Sequence, residues 1–116
     1  MFQLGSALLD ACVLAVVSHA DTYGYQLTQE IRNIIDVSES TLYPVLRRLL
    51  QEQKLVTYDR AFSGRNRRYY QITANGRDHL DYLRNNWQHF KAAVDYLLIS
   101  TDDNGMTEVS NGGDQS

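Results

Sequence analysis

Arginine and hydroxyl side chains are concentrated in two groups in the middle of the sequence. The groups are Ser40, Thr41, Tyr43, Arg47 and Arg48, and then Arg65, Arg67 and Arg68. Guanidinium groups make paired hydrogen bonds to phosphate oxygens or to guanine, and hydroxyl groups bond both phosphates and base edges. The pattern predicts contact with nucleic acid. The alternative is a solvated polar surface, because runs of charge usually face water.

The charge of the chain is unevenly distributed. A formal net charge of −3 at pH 7 argues against nucleic-acid binding over the whole surface. Residues 40–70, however, contain seven basic and two acidic side chains, whereas residues 71–116 contain three basic and seven acidic ones. We therefore expect any nucleic-acid contact to be confined to residues 40–70, which we call the basic segment.

Size and composition predict one soluble domain in the cytoplasm. A chain of 116 residues can bury one modest core. No run of about 18 apolar residues offers a membrane span, and the apolar stretch 7–17 lacks the basic start and cleavage site of a signal peptide. The single cysteine, Cys12, excludes an internal disulfide framework.

The remaining reactive side chains match no catalytic or metal-binding pattern. Cys12, His19, His79 and His89 lack the spacing that lets ligands share one ion. The sequence also lacks a phosphate-binding glycine loop, a nucleophile elbow and a catalytic carboxylate pair. We expect no metal, no cofactor and no enzymatic activity.

Three helices are predicted before residue 54. Apolar residues over 4–17 indicate the first helix, and apolar residues at helical spacing over 27–35 indicate the second. Asp21 or Thr22 can cap the second helix, and Ser38 can cap the third.

The third helix should bury one face and expose the other. Its apolar face comprises Leu42, Val45, Leu46 and Leu49, and its opposite face comprises Ser40, Tyr43, Pro44, Arg47 and Gln51. Pro44 cannot donate a hydrogen bond to the Ser40 carbonyl, so the first turns should be irregular. Arg48 points to the side and suits either a phosphate or Glu52 one turn later.

A β-hairpin and a long helix follow. Residues 55–62 and 67–72 are predicted strands around a glycine-containing turn. Strand alternation places Arg67 and Arg68 on opposite faces, so the arginines of the hairpin cannot all reach DNA equally. Thr73 can cap the fourth helix.

The fourth helix carries apolar residues that alternate spacings of three and four, which is typical of a seam that pairs with a second copy. These residues are Leu80, Leu83, Trp87, Phe90, Val94 and Leu97. The fold expected is mainly α with a small β-hairpin. It comprises a winged helix-turn-helix domain over residues 1–73, a C-terminal dimerisation helix over 74–100 and a polar, disordered tail over 101–116.

Four segments in this order resemble the PadR family of bacterial transcriptional regulators, especially its small members. They are LAVV at 14–17, YGYQL at 23–27, TLYPVLRRL at 41–49 and SGRNRRYYQITANG at 63–76. The resemblance covers residues 4–98. One departure is Gln53, where the family commonly has a glycine that ends the recognition helix, so this helix is expected to end differently.

The resemblance implies a dimeric DNA-binding repressor that is released from its operator by a small planar aromatic or drug-like effector. Because each subunit would insert its third helix into a major groove, we expect the operator to be an inverted repeat. The chain is also similar to lactococcal multidrug-resistance regulators, in which a tryptophan of the last helix lines a pocket at the dimer interface. By that analogy Trp87, Phe90 and Asp10 would bind the effector, although plain packing explains Trp87 equally well. The alternatives to DNA readout are a ligand sensor and a protein-interaction module on the same scaffold.

Overall fold

The computed structural model describes residues 5–99, which form four helices and a three-stranded sheet. The elements are α1 (Ser6–His19), β1 (Thr22–Tyr23), α2 (Gly24–Arg32), α3 (Glu39–Gln51), β2 (Leu55–Phe62), β3 (Arg65–Ile72) and α4 (Ala74–Ile99). The sheet is antiparallel with the order β1-β3-β2. Three helices followed by a hairpin and a long helix confirm the predicted winged-helix fold class. The tail expected at 101–116 lies outside the described residues.

The sequence did not predict the first strand, β1. It includes Thr22, one of the two residues that were expected to cap α2. Thr22 is buried and pairs with Tyr70 of β3, so its backbone is extended. Tyr23 precedes α2, and no side chain caps that helix. Asp21 instead accepts a hydrogen bond from the Tyr58 hydroxyl at 2.6 Å. The prediction that Asp21 or Thr22 caps α2 is therefore wrong, because sheet pairing uses this segment.

The hydrophobic core lies where α1, α2, α3, the sheet and the first half of α4 meet. Its buried members are Val13, Leu14, Val17, Leu27, Ile31, Leu42, Val45, Leu46, Leu49, Leu55, Ile72, Leu80 and Leu83. The four α3 residues predicted to be buried all belong to this core. Packing of one face of α3 therefore leaves the opposite face at the surface.

The N-terminus of α3 is capped as predicted. The Ser38 side-chain oxygen accepts a hydrogen bond from the Thr41 amide at 3.2 Å, and Ser38 has an extended backbone. Val37, which precedes this cap, packs on the core that contains Leu42. The helix continues through Pro44.

The C-terminus of α3 ends in a left-handed residue that is not glycine. Gln53 has φ 61°. Its amide bonds the Leu50 carbonyl at 3.0 Å, and the Lys54 amide bonds the Leu49 carbonyl at 2.9 Å. These two bonds are those of a Schellman motif, which usually has glycine at this position. The expectation of a different ending was wrong, because the backbone keeps the glycine conformation and Gln53 adopts it.

The start of α4 is tied to the end of α3. The Thr73 hydroxyl accepts a hydrogen bond from the Gly76 amide at 2.9 Å, which confirms the predicted cap, and donates to the Gln53 carbonyl at 2.8 Å. A Cβ atom on Gly76 would lie 2.1 Å from the Lys54 carbonyl oxygen. Only glycine permits this close approach of the two segments.

Replacing Gln53 by glycine should stabilise the protein. Glycine adopts a positive φ without the Cβ penalty, so we expect the free energy of unfolding to rise by about 0.5–1 kcal/mol for Gln53→Gly. Urea denaturation at a fixed protein concentration measures this change. The matched control is Gln51→Gly in the last turn of α3, which should lower the free energy of unfolding by up to about 1 kcal/mol. A loss of stability in Gln53→Gly would contradict the assigned helix ending.

Candidate nucleic-acid interface

The outer face of α3 is exposed along its length. Ser40, Thr41, Tyr43, Pro44 and Arg47 are all surface residues. The hydroxyl groups of Ser40 and Thr41 each lie 3.0 Å from the Ser38 side-chain oxygen. This end of the helix therefore presents a cluster of three hydroxyl groups, whose rotatable protons can be redirected to an external acceptor.

Tyr43 connects this face to the start of α2 and to the sheet. A methyl group on Gly24 would lie 3.6 Å from Tyr70 Cε1 and 4.0 Å from Tyr43 Cε1, so both rings lie beside the first turn of α2. Burial raises the pKa of Tyr70, whereas the charge of Arg68 lowers it and the nearby Tyr43 raises it by a smaller amount. Tyr43 itself remains 38% exposed. Its ring is thus supported on one side and accessible on the other.

Arg47 and Arg48 are neighbours with different surroundings. Arg47 is exposed and has no ion-pair partner among residues 5–99. Arg48 instead donates a hydrogen bond to the Asp10 carboxylate of α1 and lies 3.6 Å from Glu52. The hydrogen bond to Asp10 raises the pKa of Arg48. Of the two predicted DNA contacts, the structure leaves Arg47 open and holds Arg48 in an intramolecular network.

The Arg48 network also involves Asp10, Glu52 and Lys54. The Asp10 side chain is only 8% exposed and is paired with Arg48. This ion pair accounts for a buried carboxylate in α1, so no effector contact is needed to explain it. Lys54 donates a hydrogen bond to Glu52 at 2.9 Å, which lowers the pKa of Glu52. The lowered pKa means that this bond stabilises the fold at neutral pH. That contribution declines as the pH falls below the ordinary pKa of a glutamate.

The three arginines of β3, Arg65, Arg67 and Arg68, also differ from one another. Arg65 is exposed beside the turn and has no ion pair within the described part of the chain. Arg68 lies 3.9 Å from Asp59, and both side chains are largely in solvent. Arg67 is half-buried, with its guanidinium 4.3 Å from the centre of the Tyr23 ring and 4.2 Å from that of Phe62.

Sequence reasoning missed two residues of this surface. Arg60 lies opposite Arg67 on β2, and its guanidinium is 5.1 Å from the centre of the Tyr69 ring. Strand alternation could have identified Arg60 as part of the same face. Tyr23 carried no such signal, because a strand of two residues shows no periodicity.

The apolar seam predicted on α4 divides into two parts. Leu80 and Leu83 are buried in the core of the chain itself, so their assignment to a dimer interface is wrong. Trp87 and Phe90 are half-buried, and their ring centres are 6.1 Å apart. Val94 is half-buried and Leu97 is 62% exposed. The second half of the helix therefore has exposed apolar surface, whereas the apolar residues of the first half are buried in the core.

The described residues offer neither a metal centre nor a membrane span. Within residues 5–99, no group of three His, Cys, Asp or Glu side chains is placed to hold a metal ion. No stretch of the helices in the same range combines the length and apolar character that a membrane span requires.

Comparison with known proteins identifies the family. The model of the Transcriptional regulator PadR-like family matches residues 13–82, which include α2, α3, the hairpin and the start of α4. The chain belongs to this family. The PadR match contains the exposed face of α3 and all four arginines of the hairpin, so the candidate surface lies within the family domain.

Relatives of known sequence or structure extend the likeness beyond that domain. A Lysinibacillus sphaericus protein is 34% identical over 95 residues, which cover 78% of this chain and 87% of that protein. A solved structure from Streptococcus mutans UA159 is 38% identical with a TM-score of 0.76, covering 84% of this chain and 92% of that one. A PadR-like transcriptional regulator from Bacillus cereus is 30% identical with a TM-score of 0.76, covering 85% and 99%.

Removing Arg48 should cost more stability than removing Arg47. Arg48→Met leaves the Asp10 carboxylate buried without its partner, and we expect the free energy of unfolding to fall by about 1–3 kcal/mol. Arg47→Met, the matched control, should change it by less than about 0.5 kcal/mol. Adding Asp10→Leu to Arg48→Met should recover much of the loss. Equal costs for the two arginine variants, measured by urea denaturation, would contradict the network.

Proposed function

We propose that this PadR family protein is a cytoplasmic, sequence-specific DNA-binding repressor that acts as a homodimer. Each subunit inserts α3 into a major groove, and the hairpin, or wing, contacts the flanking phosphates. The observation that carries this proposal is the exposed α3 face, where Arg47, which has no ion pair among the described residues, follows a cluster of hydroxyl groups. This face lies in the basic segment of an otherwise acidic chain.

Five of the predicted contact residues bond DNA directly in this proposal. Arg47 and Tyr43 address base edges, because they stand on the outer face of α3. Ser40 and Thr41 bond phosphates near the helix start, where the helix dipole also favours an anion. Arg65 at the wing supplies phosphate contact. These roles have different consequences for binding, since base contacts specify sequence and phosphate contacts make affinity salt-dependent.

Three further predicted contacts, Pro44, Arg68 and Arg48, have other surroundings. Pro44 is exposed beside Tyr43 and packs along the groove wall without hydrogen bonding. Arg68 at the wing contacts phosphate. Its ion pair with Asp59 is long and solvent-exposed, so Arg68 can leave Asp59 and bind a phosphate instead. Arg48 supports α3 through Asp10 and makes no base contact.

The second half of α4 supports the dimer. The helix has 26 residues and is therefore about 39 Å long, yet its buried residues stop at Leu83. Four consecutive apolar residues at its end are largely exposed, namely Tyr96, Leu97, Leu98 and Ile99. Surfaces of this kind mark protein contacts. Dimerisation through α4 would place two copies of α3 about one DNA turn, roughly 34 Å, apart and so requires an inverted-repeat operator.

An effector is proposed to bind beside Trp87 and Phe90, whose rings lie close together on the part of α4 that approaches the second subunit. Aromatic walls suit a flat apolar ligand. Asp10 is removed from this set, because it is buried against Arg48. Binding there would change the separation of the two α3 helices and release the DNA, a coupling that is typically worth about 1–3 kcal/mol.

DNA binding is tested by selecting genomic fragments at moderate salt and titrating the best fragment by fluorescence anisotropy against excess bulk DNA. We expect a fragment to be bound well above bulk DNA. Arg47→Ala should weaken that complex by about 1–3 kcal/mol, because alanine cannot bond a base edge. The matched control is Arg84→Ala, an exposed arginine of α4 outside the basic segment, which should leave affinity unchanged. If no fragment competes better than bulk DNA, the repressor proposal fails.

The dimer is tested by light scattering during gel filtration. We expect the mass of two chains for the protein and dissociation for Leu97→Glu, because a charge would be buried in an apolar contact. Gln88→Glu, an exposed polar position on the same helix, is the charge-matched control and should remain dimeric. Trp87 fluorescence in the same samples tests the effector: quenching by planar aromatics supports the site, and an unchanged spectrum contradicts it.

A further inference from the structure

The outer face of the sheet carries a row of tyrosines that crosses all three strands. Tyr69 pairs with Tyr23 of β1 and with Tyr58 of β2. The Tyr58 and Tyr69 rings are stacked, with centres 5.6 Å apart, and Tyr23 meets Tyr69 edge-on at 5.7 Å. Directly paired residues share a face of a sheet. This row therefore lies on the face opposite to the buried Leu55 and joins β1 to the β2–β3 hairpin.

Two arginines lie next to this row, towards the tip of the wing. Arg60 and Arg67 are directly opposite each other on β2 and β3, an arrangement that would normally destabilise a hairpin through repulsion of like charges. Each guanidinium instead lies on aromatic rings. Arg60 is 5.1 Å from the Tyr69 ring centre, and Arg67 lies between Tyr23 and Phe62 at 4.3 and 4.2 Å. These distances are within the range of cation–π attraction.

The wing needs such support because its outer part has only two strands. The strand β1 pairs with β3 only at Tyr69 and Tyr70, so residues 59–68 form a two-stranded ribbon whose side chains are mostly exposed. An isolated two-stranded hairpin is marginally stable in water. Arg67 contacts a ring of β1 on one side and a ring near the tip on the other. Its side chain thus adds a link between the body of the domain and the end of the wing.

We propose that Arg67 is a positioning residue, which holds the wing in its DNA-binding orientation and makes no phosphate contact itself. Arg60 has the same role on the stacked pair of Tyr58 and Tyr69. The exposed Arg65 and Arg68 then provide the phosphate contacts of the wing. Half-burial of Arg67 between two rings supports this division, because moving it to a phosphate would give up both aromatic contacts. The proposal rests on the DNA-binding function proposed above.

Salt dependence of operator binding separates positioning from phosphate contact. Removing one phosphate-binding side chain reduces the slope of log affinity against log salt by about 0.9. Arg65→Gln should show this reduction. Arg67→Gln should lower affinity about three- to tenfold with an unchanged slope, because it removes the stacking on two rings and leaves every phosphate interaction in place. A slope that falls equally in both variants would overturn the proposal.

Ring substitutions test the same role without changing any charge. Tyr23→Leu should lower operator affinity to the same extent as Arg67→Gln, also at constant slope, and Tyr23→Phe should behave as the parent protein because the ring remains. Circular dichroism confirms that each variant is folded. Unchanged affinity in Tyr23→Leu would contradict the proposal, since a phosphate-binding Arg67 does not need the ring.

Hydrogen exchange of the free protein gives a readout that does not depend on DNA. Amides of residues 59–68 should exchange about three- to tenfold faster in Arg67→Gln and Tyr23→Leu than in the parent protein. Core amides of α3 should exchange at the parent rate in both variants. In Arg65→Gln, the amides of residues 59–68 should also exchange at the parent rate. If no operator is found, the function proposal fails while this experiment still decides the role of Arg67. Equal wing exchange in Arg67→Gln and the parent protein would overturn it.

Discussion

The close approach of Gly76 to the Lys54 carbonyl fixes how α3, the sheet and α4 are joined. The Lys54 carbonyl accepts a hydrogen bond from the Thr73 amide at 3.2 Å, directly beside the left-handed Gln53 that ends α3. The hydroxyl of Thr73 bonds both the Gln53 carbonyl and the first turn of α4. A side chain on Gly76 would have no room. The end of one helix and the start of the other therefore form a single hydrogen-bonded unit.

This joint connects the two surfaces on which the proposed function depends. The outer face of α3 is aimed by the packing of its leucines and by the joint at its C-terminus, and the ion pair between Arg48 and Asp10 adds a link to α1. Since α4 leaves the same joint, the proposed pairing of two α4 helices would set the separation of the two α3 helices through this joint. The base of the wing also starts from this joint, and the outer part of the wing is supported in addition by aromatic and guanidinium contacts on the open face of the sheet.

Local patterns in the sequence predicted the local parts of the structure. The caps at Ser38 and Thr73 and the buried face of α3 depend on spacings of a few residues, and all are present. The partners of Asp10 and of Arg67 could not be predicted in this way, because they are distant in sequence and depend on packing. Leu80 and Leu83 fit a dimer seam by spacing, but both are buried in the core of the chain itself. Gln53 shows that backbone hydrogen bonds can impose a left-handed conformation on an unfavourable residue.

In the proposed complex, α3 reads base edges in the major groove. The most direct test of this readout is methylation interference at guanine N7 on the selected operator, because N7 lies in the major groove and can be blocked without altering phosphates. We predict two patches of interference about one helical turn apart, one in each half-site, which weaken in Arg47→Ala and persist in Arg84→Ala. Binding that is insensitive to N7 methylation everywhere in the operator would contradict major-groove readout by α3.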